Sequence, residues 1–398
     1  MKNFSKISPL YLPESAKSLH YKILLTTLIL SCFGCVMVYS ASWYSSLHTY
    51  DNEFFFLTKQ IVGVLLGCVL MLLFYNISYK HILKFNKIIL IIAFVLLILV
   101  FVPYFGVESY GAKRWLNLGF FTIQASELAK FAFVFFCASY LTSYKFNSGK
   151  FKSFLPIIIV GGLMSFLILL EPNMSITMCT TFVLIIMLFI GGLKFKYLLL
   201  MCLPLLFVVP LLIVLEPYRM LRLLAFLDPW ANPLGEGYQL IQSLYALGNG
   251  GLFGVGLFSS IQAKQFLPFA ESDFIFSIIG EELGFFGATI ILFLFFYLIL
   301  NIFKVAKRTQ DRAGKLLCVG IASILAVQVL INVAVVSGLI PPTGVPLPFI
   351  SAGSTSLVVF MSAIGVVLNV NKQSKIWCFL KMYTNKAQFS IHFFYCVV

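Results

Sequence analysis

The sequence predicts an all-helical integral membrane protein with ten transmembrane helices. Hydrophobic residues make up 61% of its 398 residues and charged residues only 11%, well below the roughly 25% typical of a soluble domain. The mean hydropathy is +1.00. Apolar runs of about 20 residues, the length that crosses a bilayer, recur along the whole chain.

Ten apolar runs are candidate spans. They cover residues 23–41, 57–76, 86–104, 123–143, 154–170, 174–192, 197–215, 274–302, 316–338 and 347–370. If the N-terminus is cytoplasmic, 21 of the 28 basic residues fall on the inner side, with only Glu14 and Asp311 of the 14 acidic residues. This bias follows the positive-inside rule, so we expect both termini to be cytoplasmic.

The formal net charge of +14 follows from the same bias. Lysines beside anionic lipid headgroups gain about 1 kcal/mol each near the membrane surface, so no nucleic-acid partner is needed to explain the charge. No soluble domain remains once the spans are removed. We expect one membrane domain at 1–375 and an unassigned tail at 376–398. The four histidines and nine cysteines suggest no metal site.

Polar residues outside the spans gather in four segments, residues 111–130, 171–173, 216–273 and 341–356. With a cytoplasmic N-terminus, all four open to the outer side. The largest, 216–273, lies between the seventh and eighth spans. Polar groups gathered on one side of a helical bundle predict a shared cavity.

The first outer segment carries candidate binding residues. Lys113 and Arg114 precede Trp115, and cations beside an aromatic ring suit an anionic headgroup and a sugar face. An interfacial belt of Trp and basic residues is the alternative. Glu127 and Lys130 are three residues apart and share one helical face. Charges deep in a membrane cost about 2.5–3.5 kcal/mol on insertion scales, which favours either a structural ion pair or a substrate contact.

The large loop and the eighth span carry the other candidates. Arg219 and Arg222 suit a pyrophosphate, because guanidiniums bind oxygens in pairs; lipid headgroups are the alternative. Asp273 lies where the loop meets the membrane, and partial burial would raise its pKa toward the range of a general base. The alternative for this residue is a helix N-cap. Glu281 and Glu282 follow two turns later, and buried carboxylates in a span are seldom without function.

Four stretches, in this order, resemble the SEDS family (shape, elongation, division and sporulation), whose best-known members are FtsW and RodA. They are GAKRWLNLG with FTIQASELAKF, YRMLRLLAFLDPWANPLGEGYQLIQSLYALGNGGLFGVGL, LPFAESDFIFSIIGEELGFFG and INVAVVSGLIPPTGVPLPFIS. The resemblance covers about residues 20–372. DPWANPLGEGYQLIQSLYALG and SIIGEELG are more similar to the FtsW branch, which includes sporulation paralogues.

The resemblance implies a peptidoglycan glycosyltransferase of the bacterial cytoplasmic membrane. Such an enzyme polymerises lipid II on the outer face, in septal wall synthesis or sporulation. Its expected partners are a class B penicillin-binding protein transpeptidase and other divisome membrane proteins. Asp273 would be the catalytic base that takes the proton of the acceptor sugar 4-hydroxyl. Arg219 and Arg222, with Lys113 and Arg114 as second choices, would stabilise the undecaprenyl pyrophosphate leaving group.

Trp115 and the Glu127–Lys130 pair also match family motifs, but other positions depart from the family pattern. The substituted positions are Ala125, Asn173, Asn232, Phe269, Glu271, Ser272 and Ala352. Glu271 lies two residues from Asp273, so its charge is expected to raise the pKa of the base. The departures leave open a catalytically weakened paralogue that acts as a scaffold for the transpeptidase.

A lipid II flippase is the other competing function. Transporters often carry inverted repeats, and no convincing repeat is visible in this sequence. A flippase would translocate its substrate without needing Asp273, whereas a scaffold would tolerate every charge change in the large loop. No cofactor is evident in the sequence. The pyrophosphate groups of the substrates could bind a divalent cation.

Overall fold

The structure is a computed structural model that describes residues 14–109, 112–117 and 122–395. Helices dominate it, as expected from the apolar runs. In chain order they are α1 (Glu14–Tyr50), α2 (Phe55–Asn76), α3 (Tyr79–Lys84), α4 (Asn86–Leu99), α5 (Ala125–Leu141), α6 (Leu155–Leu170), α7 (Met174–Gly191), α8 (Phe195–Val214), α9 (Pro217–Leu227), α10 (Tyr238–Gly250), α11 (Ile275–Arg308), α12 (Arg312–Val336) and α13 (Ser354–Tyr395).

Each of the ten predicted spans overlaps one of these helices. In the part of the chain that the structure describes, seven helices are long and apolar enough to cross a membrane, namely α1, α2, α6, α7, α11, α12 and α13. The helix α4 is shorter, with 14 residues, and α5 has 17. The predicted all-helical membrane architecture is therefore confirmed, while the count of ten spans stays a prediction.

The last span was predicted to begin at residue 347, which is too early. Residues 339–353, called the proline segment below, are irregular, and α13 begins only at Ser354. Pro346 and Pro348 lack the backbone N–H that a helix needs, and each disfavours helical geometry in the residue before it. The chain turns instead, and Leu347 N donates to Ser351 Oγ at 2.7 Å.

A three-stranded antiparallel sheet, which the sequence analysis did not predict, connects α4 to α5. Its strands are β1 (Gly106–Ser109), β2 (Ala112–Asn117) and β3 (Thr122–Gln124), in the order β1-β2-β3. Trp115 in the central strand pairs with Val107 on one side and Gln124 on the other. Because β3 continues directly into α5, the sheet fixes β2, with Arg114 and Trp115, against the helical bundle.

The large loop between α8 and α11 folds back onto the bundle. The glycine-rich stretch after α10 meets a break in α11, where Phe285 N donates to Gly251 O at 2.9 Å and Val255 N donates to Glu281 O at 3.0 Å. At the break Gly284 has φ 67° and ψ −169°, a conformation that glycine alone adopts readily. The loop is thus anchored two to three turns after Asp273.

Candidate active site

Asp273 lies immediately before α11, at the end of the large loop. Its backbone carbonyl accepts a hydrogen bond from Asn332 Nδ2 at 2.9 Å, and the same amide donates to Val345 O at 2.7 Å. The N-cap position of α11 belongs to Phe274, so Asp273 does not have the N-cap role considered for it. Its side chain is half-buried and does not cap the helix.

The proline segment forms the wall beside this carboxylate. Ser351 Oγ donates to Ser272 O at 2.5 Å, which ties the segment to the residue before Asp273. A Cβ atom on Gly344 would lie 2.7 Å from Asp273 Oδ2, closer than a carbon and an oxygen can pack. Only glycine therefore leaves this carboxylate in its observed position. Neither Gly344 nor Asn332 was singled out from the sequence.

Two arginines flank the carboxylate. Arg114 Nη2 donates to Pro172 O at 2.6 Å, which brings the sheet against the turn between α6 and α7. Arg222 Nη1 donates to Pro342 O at 2.9 Å, which brings α9 against the proline segment. These contacts place both guanidiniums near enough to Asp273 for their charges to affect its pKa.

Burial is the main influence on the pKa of Asp273. It raises this pKa from 3.8 to about 6, against the opposing charges of Arg114 and Arg222. The rise through burial was predicted from the position of Asp273 at the membrane edge, whereas Glu271, the second cause predicted, is not among the charges that shift this pKa. The pKa of Glu271 is itself raised, chiefly by burial and to a smaller degree by Asp273. A carboxylate with a pKa near 6 is mostly ionised at neutral pH and basic enough to accept a proton.

Glu171 is a second carboxyl group near Arg114. It is fully buried, and neither of its carboxyl oxygens has a hydrogen-bond partner, although its backbone carbonyl accepts from Arg114 Nε at 3.4 Å. Burial raises the pKa of Glu171 to about 8, and the charge of Arg114 opposes the rise. Glu171 is therefore mostly protonated at neutral pH. The sequence marked 171–173 as a polar segment but gave this side chain no role.

Glu127 and Lys130 form the predicted ion pair, at 3.0 Å. Both are buried and continue into a network: Lys130 Nζ donates to Gln328 Oε1 at 2.5 Å, and Ser356 Oγ donates to Glu127 Oε2 at 3.1 Å. Gln328 Nε2 in turn donates to Pro346 O at 3.0 Å. The pair thus holds α5, α12, α13 and the proline segment together, and its predicted contact with substrate stays a prediction.

Glu281 and Glu282 have a similar positioning role. Both are buried in α11. Glu281 accepts hydrogen bonds from Ser260 Oγ and from Ile261 N, the latter at 3.3 Å. Glu282 Oε1 accepts from Ser40 Oγ at 2.5 Å. These bonds attach the large loop and α1 to α11, and a contact between the two carboxylates and substrate also stays a prediction.

The structure thus brings Asp273, Arg114 and Arg222 together, with Trp115 beside Arg114 in the same strand. Arg219 lies one turn before Arg222 in α9 and is half-buried. The side chain of Lys113 lies outside the described residues. Among the residues that the structure describes, no group of three or more His, Cys, Asp or Glu side chains could hold a metal ion. A divalent cation stays a prediction.

Known proteins share both the sequence and the fold. The chain matches the model of the cell cycle protein family of FtsW, RodA and SpoVE over residues 21–376. It is 38% identical to stage V sporulation protein E of Bacillus subtilis over 354 residues, which cover 89% of this chain and 97% of that protein. It is 40% identical to the probable peptidoglycan glycosyltransferase FtsW of Geobacter sulfurreducens over 358 residues, with 89% and 95% covered.

Two solved structures are also similar. A chain from a peptidoglycan synthase complex that coordinates polymerization and crosslinking matches with a TM-score of 0.74 at 28% identity, over 89% of this chain and 98% of that one. The rod shape determining protein RodA of Thermus thermophilus matches with a TM-score of 0.65 at 24% identity, over 89% and 97%; this second likeness supports the fold alone. The chain is a multi-pass membrane protein that belongs to the FtsW, RodA and SpoVE family, as its motifs indicated.

Proposed function

We propose that this protein is a peptidoglycan glycosyltransferase that polymerises lipid II in cell division or sporulation. The observation that carries the proposal is Asp273, a half-buried carboxylate with a pKa of about 6 between Arg114 and Arg222. One group in this set can accept a proton, and two can stabilise an anion. Glycosyl transfer from a diphosphate-linked sugar needs both functions.

The geometry supports a single displacement. Asp273 accepts the proton of the acceptor sugar 4-hydroxyl while that oxygen bonds to the anomeric carbon of the donor. The bond from this carbon to the pyrophosphate breaks, and its electron pair leaves with the undecaprenyl pyrophosphate. Arg114 and Arg222 stabilise the charge that develops there. A positioned base typically contributes about 10²–10⁴ in rate.

The relatives support both biological settings. Those named above are a sporulation protein and a probable FtsW glycosyltransferase, so division and sporulation both fit the chain. The similar chain from a complex that couples polymerization to crosslinking supports a transpeptidase partner of the class B penicillin-binding type. The distribution of lysine and arginine supports cytoplasmic termini and an active site on the outer face.

Product gels with fluorescent lipid II test the proposal. The purified full-length chain, with its transpeptidase, should give a ladder of glycan strands that Asp273→Asn abolishes. Asp51→Asn is the matched control: Asp51 is exposed in the connection between α1 and α2 and has a positive φ that asparagine tolerates, so its ladder should be unchanged. A wild-type protein that translocates lipid II but makes no polymer would support the flippase instead.

A further inference from the structure

Helix α13 is much longer than the membrane is thick. It has 42 residues, which at 1.5 Å per residue is about 63 Å, roughly twice the hydrocarbon core of a bilayer. The part that is apolar enough to cross the membrane ends at Ser374, after 21 residues. Residues 375–395, called the tail helix below, therefore lie outside the membrane core. The match to the family model ends at residue 376, and the proposed mechanism uses no residue of this helix.

The tail helix is amphipathic. With 3.6 residues per turn, one side of it collects apolar residues at the helical spacing, which are Ile376, Phe379, Leu380, Tyr383, Ala387, Ile391 and Phe394. The opposite side collects polar residues, which are Lys381, Thr384, Asn385, Gln388 and His392. A helix of this pattern is stable when its apolar face is buried against another surface.

The charges and aromatic residues of the tail helix favour a lipid surface. Lys375, Lys381 and Lys386 give it a positive charge, and the sequence has no acidic residue after Asp311. Lysines near a membrane attract anionic headgroups. Seven of its 21 residues are Phe, Tyr or Trp, and aromatic side chains are enriched where a protein meets the bilayer surface. The chemistry therefore matches an anionic membrane.

The structure fixes the point at which the tail helix begins. Gln373 Nε2 donates to Ser78 Oγ at 2.7 Å, in the short connection between α2 and α3. The ammonium of Lys372 lies 4.4 Å from the centre of the Tyr75 ring, in the last turn of α2. These contacts hold the end of one membrane-spanning helix against the end of another. The tail helix thus starts at the level of the membrane surface.

Ser374 marks a position at which the helix can bend. Its Oγ donates to Asn371 O at 3.0 Å, one turn earlier in α13. A serine hydroxyl that bonds to the preceding turn competes with the backbone hydrogen bonds and often bends a helix. A bend at the boundary of the span directs the tail helix toward the plane of the membrane, where its apolar face can be buried.

Exposed lysines surround the start of the tail helix. Lys80 and Lys84 lie in α3 and Lys87 in the first turn of α4, and all three are exposed. Tyr79 N donates to Asn369 Oδ1 at 2.9 Å, which places α3 beside α13. The distribution of lysine and arginine predicts that this side is cytoplasmic, and the cytoplasmic leaflet carries anionic lipid. The surface around the tail helix therefore has the same charge preference as the helix.

We propose that the tail helix lies along the membrane surface and binds anionic phospholipid, with its apolar face among the acyl chains and its lysines at the headgroups. The inference goes beyond the proposed function and does not depend on it. A glycosyltransferase, a flippase and a scaffold would all carry this attachment.

Hydrogen exchange of the tail helix tests the inference. Full-length protein is placed at one copy per nanodisc, in phosphatidylcholine alone or in a mixture with phosphatidylglycerol. The backbone amides of residues 375–395 should exchange slowly in the anionic membrane. They should exchange at least about tenfold faster in the neutral one, because the attraction of the lysines is lost. Added salt should also speed exchange in the anionic membrane.

A set of lysine variants tests the role of charge. Replacing Lys375, Lys381 and Lys386 together with glutamine should speed exchange in the anionic membrane by about 10²-fold, since each lysine near the surface contributes somewhat less than a factor of ten. The matched control replaces three exposed lysines between α5 and α6 with glutamine, which are Lys145, Lys150 and Lys152. It removes the same charge elsewhere and should leave exchange of the tail helix unchanged.

A second set of variants tests the apolar face. Leu380→Gln with Tyr383→Gln should speed exchange of the tail helix in both membranes, because it removes apolar surface from the buried side. Thr384→Gln with His392→Gln places the same residue type on the opposite side and should have no effect. Exchange within α12 should stay at the wild-type rate in every variant, which shows that the membrane domain is intact.

Three results would overturn the inference. The first is equal exchange of the tail helix in neutral and anionic nanodiscs. The second is wild-type exchange in the variant that lacks Lys375, Lys381 and Lys386. The third is slow exchange only where two copies share a nanodisc, which would make the tail helix a contact between copies of the chain.

Discussion

Replacing Arg114 with glutamine should change the pH dependence of polymerisation as well as its rate. Asp273 acts as a base only when ionised, so activity is lost as the pH falls through its pKa of about 6. Arg114 lowers that pKa, because a nearby positive charge stabilises the carboxylate. Removing the charge raises the pKa, so the loss of activity on acidification begins at a higher pH.

The structure sets the size of this effect. Asp273 Oδ2 lies 2.7 Å, and Arg114 Nη1 4.0 Å, from the position of a Cβ atom on Gly344, so the two atoms are at most about 6.7 Å apart. At that distance two unit charges interact by roughly 2.5 kcal/mol with an effective dielectric constant of about 20. One pKa unit corresponds to about 1.4 kcal/mol. Because water also screens the pair, the midpoint should move up by about one to two pH units.

Initial rates of glycan formation from saturating lipid II, measured between about pH 5 and pH 9, check this expectation. The wild-type rate should be half-maximal near pH 6, and the Arg114→Gln rate between about pH 7 and pH 8. Arg114→Lys keeps the charge and should keep the wild-type midpoint, with a lower maximum because lysine cannot bind oxygens in pairs. An unmoved midpoint in Arg114→Gln, with only a lower rate, would refute the electrostatic link between the two residues.

Three further predictions follow from the same structure. Glu171→Gln should keep the polymerisation rate at neutral pH and remove a decline of the rate above about pH 8. The reason is that Glu171, with a pKa of about 8, would ionise there and neutralise Arg114. A pH–rate profile tests this, and an unchanged decline in Glu171→Gln would exclude this role of Glu171. Gly344→Ala should lower the polymerisation rate without unfolding the protein, because its methyl group displaces the carboxylate of Asp273; a wild-type rate would contradict the packing. Lys130→Met should destabilise the protein by about 3–5 kcal/mol, because it leaves Glu127 buried without its partner. Adding Glu127→Gln should restore much of the lost stability, as measured by thermal unfolding. Equal instability of the single and double variants would contradict the ion-pair explanation.

The helices were predictable from the sequence because a bilayer imposes a minimum length of apolar residues that is visible without tertiary contacts. The sheet was not, because strands as short as Thr122–Gln124 leave no alternating pattern to detect. The start of α13 was misplaced for a related reason. Apolar residues continue through the proline segment, and the backbone of Pro346 and Pro348, rather than their hydropathy, prevents the helix.

The candidate site was predictable in part. Asp273 stood out by its place at the edge of a span, and Arg222 by its charge in the large loop. Arg114 was only a second choice, because its proximity to Asp273 depends on the sheet. Glu171 could not be assigned a role at all, because it becomes unusual only through burial without a hydrogen-bond partner.

The central claim is that Asp273 removes the proton from the attacking hydroxyl group. Its most direct test is the initial rate of glycan formation by purified full-length protein with Asp273→Asn, compared with wild type at about pH 7.5 and with lipid II binding measured in parallel. We expect the rate to fall by at least about 10² while lipid II still binds. Glycan formation at the wild-type rate by a correctly folded Asp273→Asn protein would contradict the claim.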